Sequence, residues 1–153
     1  MKELFVPYTE ALALKELDFD EPCLGYHTSG NEPFFVLLSS KISGELVGHG
    51  SVRNSLFKWL KENDKTSGEL YTLSNSVTAP TYAQAFKFFR DKYGLYHVIE
   101  PVHVEKAASE IKFDYLILGL SIEEEDYNTL PFHTYEEAEL ACLRKLIELI
   151  KEI

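Results

Sequence analysis

The chain has 153 residues, 45% hydrophobic and 26% charged, with ten Phe and nine Tyr. That fits one compact domain over residues 1–153, which buries enough apolar surface to need no staple, and it excludes a disordered chain. The formal charge is −10, and residues 121–153 hold nine acids against three bases; without a basic footprint, nucleic acid is disfavoured as a partner.

The first helix is expected from Pro7 to about Leu17, with Pro7 at a first helical position. "DFDEP" should end it, because Pro22 biases Glu21 away from helical angles. "CLGYHTSGNEPFFVLLSS" reads as two strands around a turn at Ser29-Gly30-Asn31, with an apolar run from Phe34 to Leu38. "KISGELVGHGSVRNS" is rich in Gly and Ser. "SLFKWLKEN" then reads as a short helix, and "KTSGELYTLSNSVTAP" as a strand fragment followed by a loop. The hexapeptide Lys-x-Ser-Gly-Glu-Leu starts at both Lys41 and Lys65, but the flanks diverge, which reads as coincidence or two similar turns.

The third helix, Thr81 to Tyr93, has the strongest local signals. Thr81 and Gln84 form a capping-box pair, Tyr82, Phe86, Phe89 and Tyr93 keep helical spacing, and Gly94 suits a left-handed cap followed by Leu95. "LYHVIEPVHVEKAASEIKFDYLILGL" reads as a long hairpin turning near Ala107 to Glu110, with Pro101 marking an edge or a bulge. Glu123 to Asp126 reads as a surface loop. The last helix opens at Thr134 with Glu137 as box partner and carries Ala138, Cys142, Leu146, Leu149 and Ile153 inward, with Leu143, Ile147 and Ile150 beside them. The order helix-strand-strand, repeated and then closed by a helix, predicts an α+β fold of pseudo-duplicated α-β-β units. An antiparallel sheet would be packed with helices in a sandwich-like arrangement.

The phrase Tyr-x-(Glu/Gln)-Ala occurs in "PYTEAL", "TYAQAF" and "TYEEAE". At Thr81 and Thr134 it is a way to start a helix, since the hydroxyl and the Gln or Glu satisfy each other's backbone N–H groups. Catalytic signatures are missing. The five histidines show no metal-ligand spacing, and those in "LYHVIEPVHV" read as solvent-facing strand residues. Cys23 and Cys142 form no CxxC pattern and read as reduced, buried thiols. There is no GxSxG elbow, and neither a cofactor nor a metal is expected. Among Phe86, Phe88, Phe89, Trp59 and Tyr93 most are expected in the core, with Phe88 off the main stripe. "GHGSVRNS" leads into a helix, so a bound anion there would meet His49, Ser51, Arg53, Asn54 and Ser55, but the Lys of a P-loop is missing. No stretch has the length and apolarity of a membrane span, and MKELFVPYTE lacks a signal-peptide core, so the expected setting is cytoplasmic with no membrane partner.

"PYTEALALKELDFDEPCLGY", "RNS", "APTYAQAFKFFRDKYGLYHVIE" and "TYEEAELACLRKLIELIKE" together resemble an uncharacterised family of small phage- and prophage-associated proteins from gut bacteria of the Bacteroides group. The resemblance covers both ends and the centre, and weakens near 41–52 and 105–130. The closing "TYEEAELACLRKL" is also similar to the end of phage sandwich domains with helices flanking a sheet, which bears on fold alone. No catalytic residue carries over. The resemblance implies a non-enzymatic phage-associated accessory module with a protein partner or self-association. An acidic inhibitor of a host nucleic-acid-binding protein is the alternative from charge, and a small enzyme on a phosphorylated ligand is the alternative from the Gly-rich loop.

Overall fold

A computed structural model describes residues 4–28, 34–35, 41–42, 45–46, 51–63, 75–103, 111–119 and 131–152. The fold is α+β, with a C-terminal helix, and among the described residues every strand pairing is antiparallel. The chain divides into two compact units, Met1–Gln84 and Ala85–Ile153.

In the first unit, α1 (Tyr8–Glu16) is followed by β1 (Gly25–His27), β2 (Phe34–Phe35), β3 (Lys41–Ile42), β4 (Glu45–Leu46), α2 (Asn54–Asn63) and β5 (Val77–Thr78). The order β2-β1-β5 makes a three-stranded sheet, and β3 pairs with β4. Thus the two strands expected around Ser29-Gly30-Asn31 are present and paired, while the turn itself lies outside the described residues. β5 falls in a stretch read as loop. It is only two residues long, but Val77 and Thr78 are buried, and Ala79 N–H extends the pairing by donating to Gly25 C=O at 2.8 Å.

Pro7 sits one position earlier than expected, at the N-cap of α1. The helix stops before Pro22 can act. Asp18 takes a left-handed conformation (φ 65°), so the N–H groups of Asp18 and Phe19 turn back onto the carbonyls of Lys15 and Leu14. This closes the last turn and lays the buried Phe19 beside the buried Leu14. Aspartate tolerates left-handed angles better than most side chains, and it does here what glycine usually does.

The start of α2 is held by a different segment. Asp20 Oδ1 accepts the Ser55 N–H at 2.7 Å, capping the helix from across the unit, and Arg53 Nη1 donates to the Asp20 carbonyl. Asn54 is buried: its Nδ2 donates to the Phe19 carbonyl at 2.7 Å, and its Oδ1 accepts the Thr78 N–H at 3.1 Å. One amide therefore ties the end of α1, the start of α2 and β5. Below it, Val52, Phe57 and Leu60 form an apolar cluster joined by Tyr26 and Leu56.

The second unit uses α3 (Tyr82–Tyr93, which begins three residues before the division), β6 (Tyr96–His103), β7 (Ile111–Leu118) and α4 (Tyr135–Lys151). Both expected capping boxes are formed. Gln84 N–H donates to Thr81 Oγ1 at 3.3 Å and Thr81 N–H to Gln84 Oε1 at 3.0 Å; Thr134 and Glu137 repeat the exchange. Gly94 is left-handed (φ 67°), its N–H bonds the Arg90 carbonyl, and Leu95 is buried behind it. β6 and β7 pair from Tyr96↔Leu118 to His103↔Ile111. The expected turn near Ala107 to Glu110 lies outside the described residues.

Phe113 exchanges two backbone hydrogen bonds with Phe132, at 2.8 and 2.9 Å, so its polar groups face away from β6. Its partner Pro101 is then at a non-hydrogen-bonded pair, where the missing proline N–H would point outward. Pro101 costs the ladder nothing, which matches its reading as an edge residue. α4 packs chiefly on β7, burying Ala138, Cys142, Leu143, Leu146 and Ile147.

Asn54→Ala strips hydrogen bonds from two backbone groups in a buried place, at about 1–3 kcal/mol for each group left unsatisfied. The expected result is a loss of about 2–4 kcal/mol in denaturant unfolding, with Asp20→Ala losing about 1 kcal/mol through the cap alone. A cost for Asn54→Ala no larger than that for Asp20→Ala would remove its assigned role. Gly94→Ala meets no atom within 4 Å, so its expected loss of about 1 kcal/mol comes from backbone angle alone.

Candidate interaction face

Antiparallel pairing puts opposed residues on one face of the hairpin and alternates faces along each strand. His97, Ile99, Tyr115 and Ile117 belong to the inner face, where Tyr115 and Ile117 are buried. The His97 ring stacks on Phe86 with centroids 3.6 Å apart and planes 12° apart. This corrects the expectation of a solvent-facing strand histidine. Burial first, and the Arg90 charge second, hold His97 below the ordinary histidine range.

The outer face is the more exposed of the two. Its rows, starting from the loop-distal end, are Tyr96–Leu118, Val98–Leu116, Glu100–Asp114 and Val102–Lys112. Tyr96 is 53% exposed, Val98 41%, Leu116 36% and Leu118 39%. Four large apolar side chains thus stand together in two adjacent rows. Single exposed apolar residues are ordinary on a protein surface, but a contiguous group needs an explanation. The signal was present in "DYLILGL", where apolar residues occupy both strand parities at once. An unbroken run of this kind wants cover on both faces, and the inner helix supplies only one.

Other expected candidates resolve differently. His49 lies outside the described residues. Ser51 is partly buried ahead of α2, and Arg53, Asn54 and Ser55 make the α2 joint described above. The anion at that helix start is the chain's own Asp20 carboxylate. His27, on β1, is fully buried, with Nε2 3.1 Å from the Val6 carbonyl oxygen and its ring edge-on to Tyr8. His133 is exposed, and the side chain of His103 lies outside the described residues. Phe88 is buried and edge-on to Phe89 and Tyr93, whereas Trp59, expected mostly in the core, is 55% exposed.

Cys23 and Cys142 are free and buried, and burial is the main reason each thiol is pushed up to about 12. Neither supplies a thiolate near neutral pH. Glu139, on α4, is raised by burial and by Glu136. Among the described residues no cluster of three or more His, Cys, Asp or Glu side chains could hold a metal, and no helix is long and apolar enough to cross a membrane. Comparison with protein families, with curated proteins and with solved structures finds no match to this chain.

The His97 stack has a pH consequence. An unfolded histidine titrates near pH ~6.5. Its folded value is lower, so between the two the unfolded chain binds the extra proton. The stabilisation is therefore full above about pH 6.5 and is lost as pH falls toward the folded-state value. His97→Phe should keep the stack and flatten the acid-side fall in melting temperature over that window. An identical pH slope in the variant and the parent would refute this.

Proposed function

We propose that this chain is a non-enzymatic binding module whose docking surface is the outer face of the β6–β7 hairpin. The observation that supports it is the quartet Tyr96, Val98, Leu116 and Leu118, half-exposed side by side on a strand pair whose reverse face is helix-covered. Association would remove this apolar area from water at roughly 25 cal/mol per Å². Tyrosine at the edge of the patch suits such a role, combining a large apolar ring with a polar tip. The resemblance to phage- and prophage-associated proteins would make the module an accessory protein with a protein partner, working in the cytoplasm of a Bacteroides-group host.

Leu116→Glu tests the reading. The side chain is partly exposed, so the expected stability change is within about 1 kcal/mol, and Leu116→Thr offers a milder variant with good strand propensity. Tagged full-length protein should capture a partner from host lysate, and Leu116→Glu should lose it while still melting cooperatively. Capture that survives the substitution would place the binding surface elsewhere.

A further inference from the structure

The same face carries information about what covers it. Building on the docking reading above, we infer that its occupant is an extended protein segment of pattern apolar-x-apolar-x-cation, with Lys or Arg as the cation. The argument is charge complementarity, row by row. The two apolar rows are followed directly by Glu100 opposite Asp114. Like charges directly opposed on an antiparallel pair cost stability. Glu100 is exposed, and Asp114 is oriented by accepting the Tyr115 N–H at 2.8 Å. Lys112 stands one row further toward the loop, so the row bordering the apolar quartet is acidic on both strands.

Successive rows on one face lie about 7 Å apart, two residues along a strand. An extended segment laid on this face presents alternate side chains at nearly the same interval. Two apolar side chains would seat on the Tyr96–Leu118 and Val98–Leu116 rows. The third inward position then falls between Glu100 and Asp114. A guanidinium or ammonium there meets the exposed Glu100 carboxylate, with the negative charge of Asp114 across the row, at the rim of a dehydrated patch where charge-assisted hydrogen bonds are stronger than in open water. A second copy of this chain brings the same acids and a further net charge of −10, so it is the poorer complement.

The test is a random linear-peptide display library selected on the immobilised full-length protein and counter-selected on Leu116→Glu. Enriched peptides should carry Lys or Arg two residues beyond an apolar-x-apolar pair. A synthetic peptide of the consensus should bind the parent chain and fail on Leu116→Glu. Glu100→Lys should weaken it by about fivefold or more, and Glu100→Gln, which keeps the shape, should weaken it less and make the salt dependence shallower. Peptides that depend on Leu116 but show no cation bias, or that bind Glu100→Lys unchanged, would overturn the charge assignment while the docking face stands. If no peptide depends on Leu116, both readings fall. A concentration-dependent dimer in sedimentation that Leu116→Glu dissolves would make a second copy the occupant and overturn the inference.

Discussion

A two-stranded hairpin has two faces, and this one has apolar side chains on both. α4 can cover only one. The inner face therefore becomes core, with Tyr115 and Ile117 buried and His97 stacked on Phe86, while the outer face leaves Tyr96, Val98, Leu116 and Leu118 half in water. Isolated hairpins are marginal, so the pairing of β6 with β7 depends on the helix-covered side. The outer quartet then adds apolar surface beyond what the fold itself buries. Pro101 and the Phe113–Phe132 exchange fit the same picture: one blunts an outward position of β6, and the other occupies the outward groups of β7 at Phe113.

The first unit solves a different problem. β5 is only two residues long, so its ladder alone does little to position the helices. Polar side chains take over that task. Asn54 serves a carbonyl from the end of α1 and an N–H of β5, and Asp20 caps α2 from the loop after α1. Each bond satisfies a backbone group that regular structure leaves open, which makes burial of Thr78 and Phe19 affordable. Glycine-rich sequence leading into a helix invites an anion reading, and the physical attraction behind that reading is real. Here an internal carboxylate answers it.

What the sequence made legible was local. Thr81 with Gln84, Thr134 with Glu137, and Gly94 with Leu95 each complete a motif within a few residues, and all three formed as expected. The inward positions Ala138, Cys142, Leu143, Leu146 and Ile147 of α4 followed from 3.6-residue spacing, whereas Leu149 and Ile150 are only partly buried and Ile153 lies outside the described residues. The misses are bonds between distant residues or departures from the usual residue type. Asp18 ends α1 in a conformation normally signalled by glycine, so Pro22 drew attention instead. Asp20 is 35 positions from the N–H it caps. β5 is too short to show any alternation and exists because β1 and Asn54 both bond to it. His97 reads as solvent-facing by parity alone, since parity fixes which residues share a face and not which face the helix takes.

That last distinction also explains why the exposed apolar face was hidden. Alternation fails in "DYLILGL", and a pattern without alternation assigns neither face to water. Only the position of α4 breaks the tie. Once it does, the groups with chemical potential divide cleanly. Burial raises the interior Cys23 and Cys142 thiols, and partial burial raises Glu139 and lowers His97 toward their neutral forms. A neutral thiol is a poor nucleophile. On the outer face the balance reverses: apolar groups meet water and two carboxylates stand opposed. Covering that face would take its apolar groups out of water, which is the physical ground of the docking proposal.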